Sequence, residues 1–160
     1  MTSTDAHLDE RIRRDALARL AKRPMSRTRL SAGLVKRWSD SGAVESVVAG
    51  LTRAGLLDDR AFADEAIRQA LAKEPAAEAM LVHRLLALGV DESLARDRAA
   101  AALAGRDPLA DARDLARATY ASYPASTPHT TRLRRTAGLL ARRGFDEDAI
   151  ESALAKLLGE

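Results

Sequence analysis

The feature that most constrains this chain is a turn met three times: a leucine-bearing helix with a basic end, a break, and then a new apolar helix. In the third copy Leu133, Leu140, Arg142, Arg143, Gly144, Phe145, Asp146, Ile150 and Leu154 read as helix, glycine stop, capped restart and second helix. In the second, Leu81, Leu85, Gly89, Val90, Asp91, Leu94 and Ala99 stand at corresponding places. Setting Gly89 on Gly144 and carrying the register back brings Trp38 to the glycine position, with Leu30 and Leu34 before it and Val44, Val48 and Leu51 after; the spacings are 51 and 55 residues. A helical unit recurring at such a period predicts an all-α fold: an elongated tandem array of three three-helix repeats that works through its long surface. The repeats fall at residues 8–55, 58–105 and 108–158.

Residue usage agrees with helix. Leu and Ala dominate the apolar residues, β-branched residues are sparse, and the aromatics are limited to Trp38, Phe62, Phe145, Tyr120 and Tyr123. So few aromatics weaken any case for a surface that stacks exposed bases. The lack of cysteine excludes disulfides, thiolate zinc sites and a cysteine nucleophile. The stretch Met1 to Asp9 is polar, without the apolar core of a signal peptide, and no apolar run reaches the roughly 20 residues that a bilayer requires. The expectation is a cytoplasmic protein with no membrane contact.

Net charge is +3, but its placement says more than its sum. From Arg11 to Arg37 ten basic residues face one acid, Asp15; from Arg132 to Arg143 there are five arginines and no acid. Between them, Arg60 to Leu103 carries six basic and seven acidic residues. The ends are basic and the centre is not.

Nine helices are legible. The first, about Leu8 to Lys22, sets Leu8, Ile12, Ala16 and Leu20 on one side. Pro24 ends it, Ser26 is a good N-cap for Arg27 to Trp38, and Ser39, Asp40 and Ser41 offer caps for a third helix that runs to about Ala54. Asp58 and Asp59 precede Arg60 to Lys73, Pro75 opens the next helix, and Asp91 caps the one after Gly89. Gly105-Arg106-Asp107-Pro108 is the firmest break. Beyond it lie Leu109 to about Ser122, a Pro124 to Pro128 loop, a helix from Pro128 or Thr130, and a last helix capped by Asp146.

Three segments carry a family resemblance: Leu20-Ala21-Lys22-Arg23-Pro24-Met25-Ser26-Arg27 with Leu30; Gly55-Leu56-Leu57-Asp58-Asp59-Arg60-Ala61-Phe62-Ala63; and Leu140-Ala141-Arg142-Arg143-Gly144-Phe145 with Ile150 and Leu154. Each alone is a weak helical pattern. In this order and spacing, across about Leu17 to Leu158, the chain resembles the RecX family of regulators. The resemblance implies a curved chain of three-helix units with a basic concave face, lying along the groove of a RecA-type recombinase filament and restraining it in recombination, DNA repair and the SOS response. Single- or double-stranded DNA is the further partner it implies. Trp38 departs from the family's glycine, and Glu74-Pro75-Ala76-Ala77-Glu78-Ala79-Met80 replaces a segment usually rich in Arg and Gly, so no basic face is implied at the centre.

The candidate filament- or DNA-binding residues are Arg23, Arg27, Arg29, Lys36 and Arg37 in the first repeat, and Arg132, Arg134, Arg135, Arg142 and Arg143 in the third. Arg132, Arg135, Arg142 and Arg143 could line one side of a helix and meet phosphates or acidic side chains. Against this, arginines at a helix C-terminus can simply complement the macrodipole and stay solvated. Arg11, Arg13, Arg14 and Arg19 read more readily as the wet side of the first helix. Trp38, Phe62 and Phe145 read as packing residues, with an exposed Trp38 as the interface alternative. Asp58 and Asp59 read as caps in preference to metal ligands.

No catalytic set emerges. His7, His83 and His129 are scattered, and no phosphate loop, nucleophile elbow or carboxylate pair is present, so the chain is expected to act by binding, without enzyme activity, cofactor or metal. Two other binding readings stay open. A helix-turn-helix DNA module fits the helix–glycine–helix form, although Asp146-Glu147-Asp148 and Glu151 load its second helix with negative charge. A helical protein–protein adaptor suits the neutral centre.

Overall fold

The computed structural model describes residues 3–158, with side chains from residue 6 onward; Met1 and Thr2, which open the polar N-terminal stretch, lie outside the described residues. The described chain is all-helical: α1 (Ser3–Lys22), α2 (Arg27–Trp38), α3 (Ser41–Arg53), α4 (Asp59–Leu71), α5 (Glu78–Ala87), α6 (Glu92–Leu103), α7 (Pro108–Ser122), α8 (His129–Arg142) and α9 (Glu147–Leu158). Two compact units form. One comprises the residues up to Glu65 with Leu85–Ala95, and the other comprises Ala66–Arg84 with the residues from Arg96 onward.

Helix starts follow local chemistry. The first N–H groups of a helix lack intrahelical acceptors, and a short polar side chain just before them supplies one. Ser26 accepts from the Arg29 N–H, Asp40 from Ala43, Asp91 from Ser93 and Leu94, Asp107 from Leu109, and Asp146 from Ala149. Of the acidic pair before α4, Asp58 caps that helix through Arg60 and Ala61, while Asp59 reaches instead to the Arg27 N–H at the head of α2. Pro75 does not open α5, which begins at Glu78; the Ala77 N–H just before it donates to the Arg143 carbonyl.

The first unit packs Ile12 and Ala16 of α1, Leu30 and Leu34 of α2, and Val44, Val47, Val48 and Leu51 of α3 into one core, with Trp38 half-buried against it. In the second unit the core is alanine-rich: Ala112, Leu115 and Ala116 from α7, Leu140 from α8, then Phe145, Ala149 and Ala153. Small side chains let α7 and α9 approach closely, at the expense of less apolar area per residue. Phe145 is buried as expected, whereas Phe62 is only half-buried.

Each unit contains a junction of the same design. In the first, the turn after α5 seats on the head of α2: Ser26 Oγ donates to the Leu88 carbonyl at 2.8 Å, and Gly89 (φ +79°) lies so close that a Cβ there would meet Ser26 Oγ at 2.8 Å and Arg29 Cγ at 3.1 Å. In the second, the turn after α8 seats on the head of α5: the Ala77 N–H donates to the Arg143 carbonyl at 2.9 Å, and a Cβ on Gly144 (φ +82°) would meet Met80 N at 2.7 Å. In the register that lays Leu30 and Leu34 on Leu81 and Leu85, Ser26 corresponds to Ala77 and Arg29 to Met80.

The turn after α2 differs. Leu30 and Leu34 keep the core register, but the helix runs on through Trp38, and the left-handed residue is Ser39 (φ 53°), one place later than the glycine alignment implies. Its N–H closes on the Val35 carbonyl.

Candidate functional site

The register of the repeat sorts the basic residues. Arg29, Lys36 and Arg37 of the first triplet fall on the same positions as Arg135, Arg142 and Arg143 of the third, while the middle triplet has Met80, Ala87 and Leu88 there. Three cationic positions therefore recur at the two ends of the sequence and are apolar between.

Their environments are not alike. Within α8, Thr136 and Leu140 are buried, so with 3.6 residues per turn Arg134, Arg135 and Arg142 occupy the opposite, exposed face around Gly138. Arg134 and Arg142 have no hydrogen bond or ion pair among the described residues, and the Arg135 guanidinium lies 5.8 Å from the Tyr123 ring centre. The outward stripe is thus 134, 135 and 142, in place of the expected 132, 135, 142 and 143.

Arg132 is half-buried and spent on the loop between α7 and α8. Its guanidinium donates to the carbonyls of Thr127, Pro124 and Ala125 at 2.7–2.9 Å and covers the Tyr120 ring at 5.4 Å. Arg143, with a side chain only 15% exposed, donates to the carbonyls of Pro75, Ala70 and Glu74 and lies 3.8 Å from the Glu74 carboxylate. Those carbonyls lie in the last turn of α4 (Ala70) and just beyond it (Glu74, Pro75), where unpaired acceptors and the negative end of the helix dipole favour a cation. Arg132 and Arg143 therefore hold structure together.

In the first unit Arg23, Arg27, Arg29, Lys36 and Arg37 are all exposed. Arg29 donates to the Ala87 carbonyl at the end of α5, again a helix-end clamp. Arg37 leans on Asp15 at 3.7 Å, with 63% of its side chain still exposed. Arg23, Arg27 and Lys36 make no side-chain bond among the described residues.

Asp15 is the hub of the α1–α2 seam. Its carboxylate, 14% exposed, accepts from Arg19 Nε at 3.1 Å and Nη2 at 3.3 Å and from the Trp38 indole N–H at 3.0 Å. Burial alone would push this carboxyl up, but the hydrogen bonds from Arg19 and Trp38 and the charges of Arg19 and Arg37 outweigh it and hold Asp15 below its ordinary range. Gly33 makes room, since a Cβ there would sit 2.7 Å from the Arg19 guanidinium. The sequence placed Arg19 on a wet helix face; no local signal marks its reach to Asp15, apart from the i, i+4 spacing.

A shallow groove in the same unit is lined by Arg27, Asp58, Asp59 and Asp91. All three carboxylates are occupied by helix N–H groups, and no group of three or more metal-ligating side chains is found among the described residues.

No family-level sequence profile matches the chain. Individual relatives do. The regulatory protein RecX of Corynebacterium efficiens is 37% identical over 142 residues, covering 84% of this chain and 65% of its own length. That of Stenotrophomonas maltophilia is 36% identical over 140 residues, covering 86% of this chain and 82% of its own. The crystal structure of RecX from Lactobacillus salivarius superposes with a TM-score of 0.77 over 97% of this chain and 99% of that one, at 16% identity. A second crystal structure, of a regulatory protein RecX, gives 0.73 at 19% identity, over 95% and 74%. The all-helical fold of this chain is the one those two structures share. The chain belongs to the RecX family.

Among the described residues no helix is long and apolar enough to cross a membrane.

Proposed function

We propose that this protein regulates a RecA-type recombinase by binding its filament and restraining its activity in recombination and DNA repair. The observation that carries the reading is the recurrence of exposed cations at matching positions of α2 and α8, with Lys36 and Arg142 free of partners among the described residues. Exposed cations on both helices suit a partner that offers acidic or phosphate groups. Membership of the RecX family supports the choice of partner.

The test is strand exchange and ATP hydrolysis by the cognate recombinase on single-stranded DNA, with the purified protein added. Suppression by the wild type, relieved in an Arg134→Gln, Arg135→Gln, Arg142→Gln variant, is the expected result. Arg132 and Arg143 are left unchanged because their guanidiniums hold backbone carbonyls. Equal suppression by the variant would move the contact away from α8, and no suppression by either protein would overturn the reading.

A further inference from the structure

We propose that the α1–α2 seam is a second, preformed binding site, one for the phosphodiester backbone of DNA, with Arg11 and Arg37 as the contacting residues and Trp38 as the platform that fixes them. Arg11, Asp15 and Arg19 succeed one another at four-residue intervals on α1, and Gly33 and Arg37 do so on α2, so both rows run along one seam. The Arg11 guanidinium stands 5.0 Å from the Trp38 ring centre and that of Arg37 5.7 Å. Trp38 cannot swing away, because its indole N–H is held by Asp15.

The charges do not balance. Arg19 takes Asp15 as a two-pronged partner, Arg37 approaches the same carboxylate at 3.7 Å, and Arg11 has no hydrogen bond or ion pair among the described residues. Two guanidiniums thus share one carboxylate, and a third beside them has none. Arg14, on the neighbouring flank, is offset by Glu10 at 4.0 Å. A solvated arginine would ordinarily move away from another cation; here two are drawn to one ring, which lowers the entropy lost when an anion binds between them.

The geometry favours phosphates over other acids. The indole is already covered by guanidiniums and is not open to a base, so contact is with the backbone and independent of sequence. Protein interfaces are anchored by apolar or aromatic side chains, and the large apolar residue exposed on α1, Leu17, lies on the opposite flank from Asp15. A phosphate site needs no such anchor.

The site is tested with DNA alone, so its failure is independent of the recombinase reading. Trp38 is the chain's single tryptophan, and its fluorescence should change as a mixed-sequence 20-base-pair duplex is added. In an Arg11→Gln, Arg37→Gln variant the affinity should fall roughly tenfold, and the log–log salt slope should become shallower by roughly 1.4 to 1.8, about 0.7 to 0.9 for each of two phosphate contacts. Arg11→Gln alone breaks no bond within the described protein, so half of this effect without loss of helicity by circular dichroism keeps the test clear of misfolding. Arg13→Gln, on the other flank of α1, should leave affinity within a factor of about two. Unchanged affinity and slope in the double variant would overturn the proposal. So would competition by polyglutamate as strong as that by DNA at equal charge, which would make the seam a site for an acidic protein.

Discussion

In α2 the residue before the terminal tryptophan, Arg37, leans outward onto Asp15 and the indole. Its counterpart after α8, Arg143, is drawn inward onto three carbonyls at and just beyond the end of α4. The two occupy one position of the repeat and carry the same charge, yet one is 63% exposed and the other 15%. What separates them is the partner each helix end meets. A nearby carboxylate leaves much of a guanidinium's fork free for a ligand, whereas a row of carbonyls engages one edge of it and draws it inward. Equivalent position in a repeat fixes which way a side chain leaves the helix, and the neighbouring chain then decides whether it binds or braces.

The largest effect that bears on this comparison is expected at the junction glycines. Gly144→Ala would place a methyl group in a left-handed residue and against the Met80 backbone, which cannot rotate aside, at a cost of roughly 3 kcal/mol. Gly89→Ala carries the same backbone penalty but meets only the side chains of Ser26 and Arg29, so about 2 kcal/mol is expected. Urea midpoints that fall in the reverse order would show that the two junctions are not built alike.

Next comes the arginine pair itself. Arg143→Ala should destabilise by roughly 2 to 3 kcal/mol by leaving part-buried carbonyls without a donor, and Arg37→Ala by less than about 1 kcal/mol, as an exposed ion pair predicts. Equal losses would remove the distinction between the two arginines.

A smaller change, and a gain, is expected at Thr136. It is fully buried where the other triplets have Leu30 and Leu81, and its hydroxyl has no partner among the described residues. Thr136→Val keeps the shape and removes the unpaired hydroxyl, which should stabilise by about 1 kcal/mol in denaturant unfolding.

The smallest effect is the pH dependence of the seam. Because Asp15 is held below its unfolded value, which is about 3.9, it contributes stability that is fully present above that pH and fades as pH falls through the lower folded value. Comparing the wild type with Asp15→Asn, the stability difference should be constant from pH 7 to 5 and shrink steadily towards pH 2. A difference that grew on acidification would mean that burial dominates.

Much of the fold was legible because its signals are local. As caps, Ser26, Asp91, Asp107 and Asp146 each accept from an N–H within three residues of themselves, and the glycine turns at Gly89 and Gly144 are fixed by their own backbone angles. The candidate surface was legible only in outline. That Arg135 and Arg142 face outward follows from helical spacing. That Arg143 does not, and that Arg132 closes the Pro124–Pro128 loop, depends on where distant or irregular backbone brings its carbonyls. Likewise Asp15 stands out in the sequence as a lone acid among ten cations, but its bond to Trp38 requires knowing that α1 and α2 lie side by side.

The turn at Ser39 explains why Trp38 is tolerated where the other triplets have glycine. At Gly89 and Gly144 the missing side chain serves as a socket that receives the first turn of another helix; after α2 the neighbour is Arg11 of α1, and no socket is cut. Seating another helix head on the turn after α2 would require opening one, by trading Trp38 and Ser39 for a glycine-closed turn. That exchange would dismantle the Asp15 hub. The turn after α2 can receive a helix head or keep its arginines mounted on tryptophan, but its chemistry does not allow both.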